Sequence, residues 1–243
     1  MRAALAAGAV AAAVSAVLAA PEGQANGSAL YRDGSVVAQV RAGSAAVRAA
    51  PGSSRVLAVA PRTTEFGSRT TFAVTGIRGR WAEVISPLLA NDVRGFVRRS
   101  VVKLSRVRVA LDVDLSARRL RVWRGGVILR RMEVAVGAAG SPTPIGRFAV
   151  TDQLTGFNTA SYGCCILALS GHQTHLPPGW TGGDRLAIHG GSGIGSAVST
   201  GCLHAGETAE PIPLPPWIAS RSPPVQPGGR CVWWPERARM QQP

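Results

Sequence analysis

At 243 residues, 46% of them hydrophobic, the chain suits one domain of ordinary size plus a small one, or two modest ones, and it can bury a core. Its formal net charge of +14 is carried almost wholly by arginine, Lys103 being the only lysine, and the arginines are scattered with no dense basic run. That pattern argues against nucleic acid as the partner and leaves a general attraction to anionic polymers such as those of a cell wall.

The chain opens with a short positive start at Arg2, then an alanine-rich, uncharged run from Ala3 to Ala20. Small residues suited to cleavage follow, near Ala19-Ala20 or at Ala25. Residues 1–25 are expected to be a signal peptide, removed after export; a membrane span is the competing reading, because the run borders the minimum spanning length. No other segment is apolar enough for long enough to cross a bilayer. The expected location is therefore secreted or in the cell envelope, with the membrane met only through the export signal.

Residues 35–104 read as short alternating strands broken by turn residues, among them Val36 to Val40, Thr70 to Val74 and Trp81 to Ile85. The segment Gly79-Arg80-Trp81-Ala82-Glu83-Val84, followed by Asn91 to Val97 with its Gly95-Phe96-Val97, resembles the end of a bacterial SH3-like domain. That resemblance implies a small barrel with Trp81 and Phe96 in its core. Ser105-Arg106 reads as a joint, and a second domain is expected over residues 106–207.

This second domain begins with hairpin patterning. Val107 to Val113 alternates, Asp114 to Arg118 turns, Arg119 to Trp123 returns, and Arg124-Gly125-Gly126 turns again into Val127 to Val136. Val109, Leu111, Val113, Leu120 and Val122 should face one side and bury it. No helical periodicity of any length and no internal repeat is present, so the fold class is mainly β.

Three ordered motifs follow. The first is Ser141-Pro142-Thr143-Pro144-Ile145-Gly146-Arg147-Phe148, where two prolines fix φ and Gly146 permits a turn. The second is Tyr162 to Gly171, which reads as a strand. The third is Ile188-His189-Gly190-Gly191, with Ser199-Thr200-Gly201-Cys202 placing a cysteine thirteen residues after the histidine. A thiol acyl-transfer site needs a nucleophile, a base for its proton and a tight turn whose N–H groups hold an oxyanion; these residue types supply all three. Together the motifs resemble the L,D-transpeptidase catalytic domain (the YkuD family), over residues 107 to 207, and imply that family's β-sandwich.

The resemblance implies roles residue by residue. Cys202 would be the nucleophile and His189 the general base. The Gly190 carbonyl would orient His189, with Ser192 a weaker candidate. Gly201 and Cys202 would offer oxyanion N–H groups on a turn fixed by Ser199 or Thr200. Two positions depart from the family pattern: Thr200 stands where the box has histidine, and His204 where an arginine or asparagine is usual. If that residue binds a substrate carboxylate, His204 would do so poorly. The loop from His189 to Ser199 is also shorter than usual. Tyr162 is either a wall of the donor groove or a core aromatic.

Cys164 and Cys165 are neighbours and bridge each other only with strain, so a disulfide scaffold is not expected and at least one thiol should be free. A thiol of that pair could instead reach Cys202 and form an inhibitory disulfide, though plain strand packing is the simpler reading. Adjacent strand residues also point to opposite faces, which argues against zinc on these cysteines with His172 and His175. No metal and no cofactor is expected. After Glu207 the motif agreement stops. Residues 208–243 are rich in proline, as in Pro211-Ile212-Pro213-Leu214-Pro215-Pro216, and read as an irregular tail, either divergent or the product of a frameshift.

The resemblance implies an exported peptidoglycan L,D-transpeptidase. It would pass an acyl group from a donor stem tetrapeptide through Cys202 to an amine on another stem. Water as acceptor would make it an L,D-carboxypeptidase. The competing classes are a catalytically degenerate wall-binding protein and a redox or metal protein built on the cysteines.

Overall fold

Valine- and alanine-rich runs with every second residue buried build the first sheet, because alternation sends one set of side chains inward and leaves the other in water. In the computed structural model, which describes residues 31–41, 43–159 and 162–206, these runs are β1 (Ser35–Val40), β2 (Ser44–Arg48), β3 (Val56–Pro61), β4 (Thr71–Arg78), β5 (Trp81–Ile85), β6 (Gly95–Arg98) and β7 (Val102–Val107). They pair in the order β3-β2-β6-β5-β4-β1-β7. Val40, Val47, Phe72, Val84 and Val97 lie fully buried between them. Phe96 is buried as expected, but Trp81 is only half-buried, with the Arg98 guanidinium over its ring. The expected joint at Ser105-Arg106 lies inside β7, whose residues pair with β1 as far as Ser35 opposite Val107. The chain leaves this sheet at Arg108.

The second sheet contains β8 (Val109–Asp114), β9 (Arg119–Arg124), β10 (Val127–Gly137), β11 (Val150–Thr159), β12 (Gly163–His172), β13 (Arg185–Gly190), β14 (Ala197–Ser199) and β15 (Leu203–Ala205). Their order is β11-β12-β13-β15-β10-β9-β8, with β14 alongside β10. The residues expected to face one side do so: Leu120 and Val122 are buried, and Val109, Leu111 and Val113 pack on the same cluster. Each fully buried side chain of this size is worth about 1.5–3 kcal/mol relative to exposure. The expected signal segment (residues 1–25) and the proline-rich residues 208–243 lie outside the described residues.

Polar contacts join the two sheets. Asn91 Nδ2 donates to His172 O at 2.7 Å, and His172 N returns a bond to Asn91 Oδ1 at 2.9 Å. The His172 ring reaches Pro87 O at 2.8 Å, Arg185 pairs with Glu65, and Thr64 Oγ1 donates to the fully buried Asp152 at 2.5 Å. The part-buried bonds among these favour one relative placement, because breaking them leaves partly desolvated groups without partners.

Candidate active site

Strand register gathers the chemistry on one face of the second sheet. Residues paired across strands share a face, so Leu154, Ile166, His189 and His204 form one transverse row over β11, β12, β13 and β15. The neighbouring row, Gln153, Leu167, Ile188 and Leu203, turns the other way, and its apolar members enter the core. β13 and β15 run parallel, with Ile188 opposite Leu203 and His189 opposite His204. Cys202, two residues before His204, therefore lies on the His189 face, where it packs against Leu154, Ile166 and Ala187. Thirteen residues of sequence thus become two adjacent strands.

His189 is buried, and its Nδ1 lies 2.6 Å from Gly190 O. A carbonyl only accepts, so Nδ1 carries the proton and Nε2 presents a lone pair. Gly190 is held in turn by its N–H, which donates to Tyr162 O at 3.0 Å. A Cβ at Gly190 would come within 2.9 Å of Gly163 Cα, so the two backbones cross closely only because both residues are glycine. Ser192 does not touch His189; its carbonyl accepts from His204 Nδ1 at 2.9 Å.

Burial sets the protonation of both groups. It pushes the His189 pKa below the ordinary imidazole value, with the Gly190 hydrogen bond opposing and His204 adding to the shift. It pushes the Cys202 thiol up, against a backbone hydrogen bond from Ala187. Near neutral pH the resting pair is thus a thiol beside a neutral imidazole. No hydrogen bond joins Cys202 to His189 among the described residues. For such a pair to act as nucleophile and general base, the proton would have to move as a substrate closes the gap.

The same shift has a consequence for stability. An unfolded His189 takes up a proton near pH ~6.5, whereas the folded residue resists it until lower pH. Its contribution is therefore complete above that value and is lost as pH falls toward the folded pKa. The urea midpoint should decline across this acid window, and His189→Gln should flatten the decline. Parallel curves for the two proteins would contradict the assignment.

The turn before Cys202 is held by Ser199 and braced further by Thr143 and Gln173, two residues that the sequence reading did not single out. Ser199 Oγ donates to Cys202 O at 2.5 Å and accepts from Gly201 N at 3.1 Å. The Gly201 N–H, one of the two expected oxyanion donors, is thus engaged by Ser199 Oγ in this structure. Thr143 Oγ1 accepts from Gly137 N at 2.8 Å and donates to Gly201 O at 2.9 Å. Buried Gln173 places Nε2 within 3.1 Å of Ser141 O, Pro142 O and Thr200 O. Gly201 has φ +112°, and a Cβ there would strike Gln173 Nε2 at 2.0 Å. Thr143 was visible only as part of a proline-rich motif, and Gln173 carried no signal. Thr143→Val should cost about 1–3 kcal/mol for each bond it leaves unmade, read as a fall in the urea midpoint at constant slope.

Tyr162 is 41% exposed, with its ring 4.8 Å from the His189 ring, which makes it a wall of the site and not a core aromatic. Cys202 is a free thiol. Cys165 is disulfide-bonded, contrary to expectation, and its partner lies outside the described side chains, so Cys165 does not block Cys202. Among the described residues no three His, Cys, Asp or Glu side chains are grouped as metal ligands.

Comparison with known proteins gives the site its family. Residues 108–225 match the family model described as YkuD, L,D-transpeptidase catalytic domain. This part of the chain belongs to the YkuD family. The match begins at Arg108, where the chain leaves the first sheet, and continues past Glu207, where the motif resemblance ends. Among solved structures, a mutant of an Enterococcus faecium L,D-transpeptidase is similar at 15% identity, with 60% of this chain and 65% of that one covered and a TM-score of 0.32. The Ldtfm-avibactam carbamoyl enzyme is similar at 16% identity, with 60% and 63% covered and a TM-score of 0.29. The chain thus spans less than two thirds of the length of either. No curated protein matches. In this YkuD domain the box histidine is replaced by Thr200, whose carbonyl is bound by Gln173.

Proposed function

We propose that this protein is an exported L,D-transpeptidase acting on peptidoglycan, with Cys202 as nucleophile and His189 as general base. The observation that carries the reading is the placement of Cys202 on the face of His189, whose Nδ1–H is pinned to Gly190 O so that Nε2 is free to accept a proton. Cys202 Sγ attacks the carbonyl of the bond between the third and fourth residues of a donor stem while His189 Nε2 takes the thiol proton. The C–N bond breaks, and the imidazolium gives its proton to the leaving amine. The Cys202 N–H steadies the oxyanion. An amine of a second stem then attacks the thioester, the C–S bond breaks and the thiol is restored. Tyr162 borders the donor side, and the amino-terminal sheet, read as SH3-like, docks against the catalytic domain.

The test is incubation with a stem tetrapeptide carrying a diamino acid at its third position, followed by mass analysis of Cys202 and of released products. A Cys202 adduct with a cross-linked dimer supports the reading. Release of the fourth residue without dimer makes the protein a carboxypeptidase. No adduct with either this peptide or a carbapenem would overturn acyl transfer and leave a wall-binding role.

A further inference from the structure

His204 replaces the arginine or asparagine that the family pattern leads one to expect, and the structure gives it a position built for chemistry. It is the register partner of His189 on β15, two residues beyond Cys202 on the same face. The two imidazole rings lie 4.8 Å apart, inclined at 45°. His204 Nδ1 is 2.9 Å from Ser192 O, so this ring, like that of His189, holds a proton at Nδ1, and Nε2 is the nitrogen left to exchange one. The chain makes room for it: a Cβ on Gly191 would come within 3.0 Å of His204 Cγ.

The two rings differ in depth. His189 is buried between Tyr162 and His204, whereas His204 is only half-buried and pairs onward with Ala135 of β10. Tyr162 occupies one flank of His189, so the His204 flank is where a second reactant meets the acyl-cysteine. That reactant must lose a proton as it attacks, and an imidazole at that flank can take it.

On the reading that Cys202 forms a thioester, we propose that His204 is a second catalytic residue, the general base for the acceptor amine. In this step the amine nitrogen bonds to the thioester carbon while its proton passes to His204 Nε2. The C–S bond breaks, and the proton held on His204 passes, directly or through solvent, to the departing sulfur, which restores the Cys202 thiol and the neutral imidazole. His189 serves acylation and His204 serves transfer. The chain has thus exchanged a residue suited to holding a carboxylate for one suited to moving a proton.

The experiment separates the two steps with the diamino stem tetrapeptide as both donor and acceptor. Quenched-flow mass analysis follows the Cys202 adduct and the dimer. In His204→Asn the adduct should accumulate, and its conversion to dimer should slow by about 10²–10⁴-fold, the usual worth of a positioned acid–base group. In His204→Ala, added imidazole should restore part of the transfer rate, a response that a purely structural role would not give. Dimer formation at the wild-type rate in His204→Asn, or a His204→Ala protein that forms adduct but ignores imidazole, overturns the role of His204 alone. Absence of adduct in the wild-type protein overturns the thioester reading, and this inference with it.

Discussion

Cys202→Ala is expected to abolish acyl transfer, leaving less than about a few per cent of the wild-type turnover, because among the described residues Cys202 is the free thiol and it lies on the His189 face. The fold should survive. The thiol packs against Leu154, Ile166 and Ala187, and its loss removes one small side chain and a single backbone hydrogen bond, that from Ala187. A thermal transition close to that of the wild type, measured beside the lost turnover, would separate chemistry from folding. Retained turnover in this variant would remove Cys202 from the mechanism.

His189→Ala should slow acylation of Cys202 by about 10²–10⁴-fold. The pH dependence gives the sharper test. Burial lowers the His189 pKa, so its basic form persists into mildly acidic solution, and the acylation rate should fall only as pH drops through that lowered value. Removal of the imidazole should delete this acid limb. Burial also raises the Cys202 pKa, so direct alkylation should climb into the alkaline range instead of reaching a plateau near neutrality, as a preformed thiolate–imidazolium pair would. In His189→Ala the residual alkylation should track the thiol ionisation alone. An alkylation profile unchanged by the substitution would show that the two side chains do not cooperate.

How much of this was legible before the fold is clearest strand by strand. Alternation placed Trp81 to Ile85 and Arg119 to Trp123 correctly, because a half-buried strand must alternate. The joint expected at Ser105-Arg106 falls within β7, which pairs with β1 through Val107; pairing between segments some seventy residues apart leaves no local mark. Cys165 was read as strand packing and is disulfide-bonded, a feature decided by which sulfur lies near it in space. Thr143 and Gln173 were passed over as site residues for the same reason: their partners are carbonyl oxygens of distant loops, which no side-chain pattern records.

The sequence by itself determined the class of the fold and the family of residues 108–225, and it supplied Cys202 and His189 as the candidate thiol and imidazole. Alternating hydrophobicity and the order of short motifs are local properties, and a chain displays them wherever it is read. Tertiary structure alone decided that β13 and β15 lie side by side and parallel, which brings His189, Cys202 and His204 to one face. It decided that the Gly201 N–H goes to Ser199 Oγ. It also decided that both site groups rest uncharged. Protonation follows from how much water each group loses and which carbonyls it meets, and burial and neighbours exist only once the chain has folded.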